Sequence, residues 1–82
     1  MFHRAKSVKT LPEYVLLVSF TDGADRLYDM KKLFEQYPIY RSFEDIPGLF
    51  GVARVDTGGY GIVWNEEIDI DAEEIYVNGV FP

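Results

Sequence analysis

The sequence contains no cysteine, a single histidine and, after Arg54, neither lysine nor arginine. Without a thiol there is no disulfide framework, no thiolate nucleophile and no sulfur ligand for a metal. His3 alone cannot supply the ligand set of a zinc site. It also stands two residues from Met1, where chains fray, so a serine triad built on Ser7, Ser19 or Ser42 would rest on one poorly anchored imidazole. A solvated or packing histidine is the plainer reading. Apolar runs are short: the longest, Tyr14 to Val18, has five residues, against the roughly 20 that span a bilayer. No signal-peptide core opens the chain. The expectation is a cytoplasmic protein that does not enter a membrane.

What is abundant is ring area. Hydrophobic residues make up 48% of the chain and aromatics 16%, among them six Tyr, six Phe and one Trp. Large rings bury much surface per residue, so 82 residues can close one core without a staple, and two cores would each be too small. A single domain over residues 1–82 follows. The net charge of −6 is unevenly placed: residues 1–54 hold all eight basic groups and seven acidic ones, and residues 55–82 hold the other seven acids. An acid-only segment repels a phosphate backbone and attracts basic partners, which argues against direct nucleic-acid binding. Arg4, Lys6 and Lys9 form the one basic cluster and read as the solvated face of a strand.

Turn chemistry organises the chain. Tyr14 to Phe20 runs into Thr21-Asp22-Gly23-Ala24, where Asp-Gly suits a tight hairpin, and Asp25 to Tyr28 returns. Phe50 to Asp56 runs into Thr57-Gly58-Gly59-Tyr60, and Gly61 to Trp64 returns. Residues 4–10 make a further strand. Asp29 is placed to cap a helix over about 30–36, with Tyr28 and Leu33 as a hydrophobic staple and Pro38 as its limit. Asp71 repeats that arrangement. Glu74 completes a capping box, Ile70 and Ile75 form the staple, and Asn78-Gly79 offers a left-handed stop. Between the two helices, Ile39 to Leu49 fits a helical turn or an ordered loop. The fold class is α+β: a mainly antiparallel sheet of about five strands, two hairpins plus an N-terminal strand, with two short helices in the order β-β-β-α-β-β-α. An edge strand of such a sheet can pair with a second copy.

Taken together, Phe20-Thr21-Asp22-Gly23, Tyr28-Asp29, Val55-Asp56, Gly61-Ile62-Val63-Trp64, Asp69-Ile70-Asp71 and Ile75-Tyr76 resemble a bacterial family catalogued as domain of unknown function twenty-four forty-two. The spacing of Trp64, Asp69 and Ile75-Tyr76 is the most specific part, and the resemblance covers nearly the whole chain. It implies a small β-rich α+β domain whose relatives are often encoded beside another small protein, in pairs that look like toxin and antitoxin modules. It implies no activity. Ala72 stands where a proline often opens the last helix. The helix-turn-helix extension that some relatives carry is absent from these 82 residues, so the resemblance brings no DNA-binding role.

Six carboxylates in nine residues, Glu66, Glu67, Asp69, Asp71, Glu73 and Glu74, form the sharpest local feature. Read as a calcium loop starting at Asp69, they place Glu74 where glycine is wanted and Val80 where a bidentate glutamate is wanted. Read as helix chemistry, Asp71, Glu73 and Glu74 belong to a first turn favoured by the helix dipole. Read as a partner surface, Trp64, Glu66, Glu67, Asp69 and Tyr76 would surround aromatic anchors with negative charge, a combination suited to a basic protein. Trp64 and Tyr76 read equally well as core. Gly58-Gly59-Tyr60-Gly61 lacks the lysine and helix of a phosphate loop. Paired carboxylates such as Asp56 and Glu66 could converge on a sheet, but so short a chain has little room for a deep cleft.

The resulting expectation is a non-catalytic interaction module without catalytic, cofactor or metal residues, the antitoxin-like or regulatory partner of a small adjacent-gene protein. The alternative is a small-ligand or divalent-metal-binding domain.

Overall fold

In Val15–Phe20 (β2) the side chains of Leu16, Val18 and Phe20 are buried and those between them only partly covered. This is the alternation of a strand with one face on a core. The computed structural model describes residues 2–82. It makes β2 the central strand of an antiparallel sheet between Ala5–Leu11 (β1) and Asp25–Asp29 (β3), with Val18 opposite Val8 on one side and Arg26 on the other. At the β2–β3 turn Gly23 takes φ 91°, and Asp22 Oδ1 accepts the Ala24 N–H at 2.9 Å, so the side chain reinforces the turn.

The β1–β2 connection is less relaxed. Glu13 and Tyr14 both take positive φ, 65° and 62°, a conformation that costs a residue with a Cβ roughly 1–2 kcal/mol. Packing holds Tyr14 there. Its ring meets Phe34, Phe43 and Phe50, and its carbonyl accepts the Met30 N–H at 3.0 Å.

The expected five-stranded sheet is instead two sheets of three antiparallel strands. The second contains Arg54–Val55 (β4), Gly61–Val63 (β5) and Asp69–Asp71 (β6), with β5 in the centre. The reason is how β1 meets the second hairpin. Ala5 donates its N–H to Gly59 O at 2.7 Å, so β1 abuts the hairpin's turn. Gly59 has φ 83°, and a Cβ there would lie 2.6 Å from Ala5 O. Among the described residues no ladder connects the two sheets. β6 escaped the sequence reading because Asp-Ile-Asp is too short for alternation to stand out, although Ile70 is buried between two exposed aspartates.

Four local expectations are corrected. Residues 30–36 form only a 3₁₀ turn, Met30–Leu33, in which Asp29 Oδ1 does cap Lys31 N–H at 2.9 Å. The strand expected to begin at Phe50 begins at Arg54; Phe50–Val52 is a 3₁₀ turn whose first carbonyl accepts the Trp64 indole N–H at 3.0 Å. In the last helix, Ala72–Asn78 (α2), the Asp71 side chain makes no capping bond. Glu74 instead accepts the Tyr28 hydroxyl at 2.7 Å, so the capping box is not formed. Gly79 is extended at φ −73°, and its small size serves a close approach to Ile75 O, which a Cβ would meet at 2.5 Å. Pro38–Arg41 is a 3₁₀ turn that runs into the short helix Ser42–Asp45 (α1).

One buried cluster joins these parts. Leu16, Val18, Phe20, Tyr28 and Met30 come from the first sheet and its exit, Ile62, Trp64, Ile68 and Ile70 from the second, and Ala72 and Ile75 from α2. Phe34 and Phe43 seal one end. The Phe43 ring contacts those of Tyr14, Phe34, Tyr40, Phe50 and Trp64, giving a core wall built largely of rings. Among the described residues no helix is long and apolar enough to cross a membrane.

Candidate functional site

Two walls of different origin enclose a cleft of about 530 Å³. Leu33, Gln36, Tyr37 and Tyr40 form the first, supplied by the segment after β3; Asp69, Ile70, Asp71 and Glu74 form the second, supplied by β6 and the start of α2. The strand alternation that buries Ile70 turns Asp69 and Asp71 outward. Pro38 sets the first wall: it opens a 3₁₀ turn in which Tyr37 and Tyr40 stand edge to face at 6.1 Å between centroids. Tyr40 ties the walls together by donating its hydroxyl to the Asp69 carbonyl at 2.7 Å.

Of the three carboxylates that line this cleft, Glu74 is held by a hydrogen bond. Tyr28 is 1% exposed, and its hydroxyl donates to Glu74 Oε2, orienting that carboxylate from within the core. Burial raises the Tyr28 hydroxyl pKa well above the ordinary tyrosine value, with the hydrogen bond to Glu74 acting in the same sense. Tyr40 is raised too, by burial first and then by the negative charge of Asp69. Lys32 stands at the margin, its ammonium 4.0 Å from the Tyr28 ring centroid and hydrogen-bonded to Asn78 O at 3.2 Å. Two tyrosine rings beside three carboxylates form a wall suited to an ammonium or guanidinium group, which gains from both the charge and the ring faces. Among the described residues no group of three or more His, Asp or Glu side chains is placed to hold a metal ion.

A smaller cleft, about 320 Å³, lies between Phe2, His3, Tyr60, Asp71 and Glu73. Glu73 Oε1 accepts the His3 backbone N–H at 2.9 Å, and Oε2 lies 3.0 Å from His3 Nδ1. The backbone bond first, and the ring bond second, hold the Glu73 carboxyl below its usual value. His3 is thus a packed and bonded residue, its ring stacked on Tyr76 at 3.5 Å.

The five residues expected as a partner surface do not come together. Trp64 is 5% exposed and packs on Phe43 and Phe50, so it belongs to the core. Glu66 and Glu67 are exposed on the turn after β5, which Asn65 Oδ1 organises by accepting the N–H groups of Glu67 and Ile68. Tyr76 is half-buried on α2, stacked on His3, edge-on to Phe20 and bonded through its hydroxyl to Asp22 at 2.8 Å. Only Asp69 lines the larger cleft. Sequence reasoning missed Tyr37 and Tyr40 and assigned Asp71 and Glu74 to capping. The available signal was the Tyr-Pro-x-Tyr run, which puts two rings on one tight turn.

The family of proteins of unknown function designated DUF2442 matches residues 5–81, and the chain belongs to that family. No curated protein and no solved structure matches it.

Proposed function

We propose that this domain is a non-catalytic interaction module whose tyrosine-walled acidic cleft receives a lysine- or arginine-bearing segment of a partner protein. The observation that carries the reading is the convergence of Asp69, Asp71 and Glu74 on Tyr37 and Tyr40, with Glu74 oriented by a buried hydroxyl. The acid-only composition after Arg54 supports it by adding long-range attraction for a basic surface. In this reading the module is the antitoxin-like or regulatory half of a two-protein bacterial system, and its partner is the basic half.

The test is a titration of the domain with a tetralysine peptide, followed by amide chemical shifts at low and at high salt. Shifts should concentrate on Tyr37, Tyr40, Asp69 and Asp71, and affinity should fall as ionic strength rises. Asp69→Asn with Asp71→Asn should abolish the response, while Glu66→Gln with Glu67→Gln should leave it. Equal loss in both pairs, or shifts spread over every acidic surface, would reduce the cleft to unspecific charge and end the proposal.

A further inference from the structure

We infer that the outer edge of β3 is a second docking edge, built for an extended strand with an apolar residue between basic ones, and that Gly79–Phe81 of this chain occupies it in cis. β3 is an outer strand of the first sheet. Leu27 donates its N–H to Val80 O and accepts the Val80 N–H, both at 2.8 Å, in an isolated antiparallel bridge. An outer strand with open backbone groups is a template for a further strand. Here the chain supplies one residue of it.

The hold is slight. Val80 is 62% and Phe81 78% exposed. Arg26 adds to it, its guanidinium carbon 4.6 Å from the Phe81 ring and 4.4 Å from the Tyr76 ring, with Nε donating to Tyr76 O at 3.0 Å. Gly79 lets the segment cross: a Cβ there would lie 2.5 Å from Ile75 O and 3.0 Å from both Arg26 Cβ and Leu27 O. One bridge and one ring contact can be displaced by a strand that pairs along more of the edge.

The chemistry of that strand follows from β3. Outward-facing backbone groups recur at every second residue, so those of Asp25 and Asp29 share the edge with Leu27; the Asp25 carbonyl now accepts Arg26 Nη1 at 2.9 Å, an exposed bond that a docked strand would replace. The side chains of these three also share one face of the strand. A docked antiparallel strand centred on Leu27 would set an apolar residue opposite Leu27, as Val80 does, and residues of opposite charge opposite Asp25 and Asp29, the second of which now pairs with the exposed Lys31 ammonium at 2.9 Å and would share or exchange that partner. A second copy of β3 is a poor occupant, because the same register puts Asp25 against Asp29. None of the residues of the acidic cleft takes part, so the two readings stand or fall separately.

The test uses the full chain and two variants that release the edge by different means. Val80→Pro removes the N–H that Leu27 O accepts; Gly79→Ala forces the segment off by contact with Ile75 O and Leu27 O. Each is titrated with the blocked pentapeptide Lys-Thr-Val-Thr-Lys and with Glu-Thr-Val-Thr-Glu, following the amides of Asp25, Leu27 and Asp29, with Trp64 fluorescence confirming the fold. Both variants should bind the basic peptide about ten-fold more tightly than the parent, the order expected when two backbone hydrogen bonds no longer compete. The acidic peptide should not bind. Equal affinity in parent and variants, equal binding of the two peptides, or shifts confined to Tyr37, Tyr40 and Asp69 would each overturn the inference.

Discussion

Replacing Tyr28 by phenylalanine removes one oxygen atom and should change stability in a way that depends on pH. The ring is fully buried, and the hydroxyl donates to Glu74 Oε2 at 2.7 Å. Losing a hydrogen bond to a charged group that water can partly resolvate costs about 1.5 kcal/mol at neutral pH. The alkaline limb adds a second signature. An unfolded tyrosine titrates near pH 10, whereas burial and the Glu74 bond keep the folded Tyr28 hydroxyl protonated well above that. A raised folded pKa on an acid contributes stability that is fully present below the unfolded value and is lost as pH rises through and beyond it, because the unfolded chain then releases a proton that the folded chain keeps. At pH 11 that loss reaches about 1.4 kcal/mol in the parent and is absent from the variant. The parent's advantage should therefore shrink from about 1.5 kcal/mol at pH 8 to nearly zero at pH 11.

Urea denaturation followed by Trp64 fluorescence reads this directly, since the indole is buried beside Phe43 and Phe50. With a slope of about 1 kcal/mol per molar urea, the midpoints should differ by about 1.5 M at pH 8 and converge by pH 11. A difference that stays constant between those two conditions would mean that the hydroxyl ionises alike in both states, and the electrostatic account of Tyr28 and Glu74 would be refuted.

Two further substitutions probe the frame that holds the cleft. Glu13→Gly relieves a positive φ at the β1–β2 turn and should raise stability by about 0.5–1 kcal/mol, measurable as a higher melting temperature; a loss would show that the Glu13 side chain has a role beyond its backbone. Phe43→Ala empties a site where five other rings meet and should cost about 3–5 kcal/mol, leaving a chain whose near-ultraviolet dichroism is largely lost; a cost below about 1 kcal/mol would mean that the ring wall collapses readily around the gap.

Much of the fold was legible because its signals are local. Alternation in Val15–Phe20 and the Asp22-Gly23 turn specify the first hairpin without reference to distant residues. Asp29 could be read as a cap because it bonds an amide two residues away. Asp71 could not be read correctly in the same way. The capping box it suggested needs Glu74, and Glu74 is engaged by Tyr28, 46 residues away in sequence. Phe50 illustrates the same limit: its carbonyl is taken by the Trp64 indole, which stabilises a turn where residue type suggested a strand.

The sequence by itself determined that the negative charge is segregated after Arg54, that one ring-rich core can form, and that the chain turns at Asp22-Gly23 and Gly58-Gly59. Composition and short-range backbone preference are properties of the chain, so these are readable from it. Which carboxylates share a cleft, whether Trp64 faces solvent or core, and where the sheet divides were decided only by tertiary structure. Each depends on contacts between segments far apart in sequence, Tyr40 on Asp69, Trp64 on Phe43 and Ala5 on Gly59, and no local pattern encodes which distant group will be the partner.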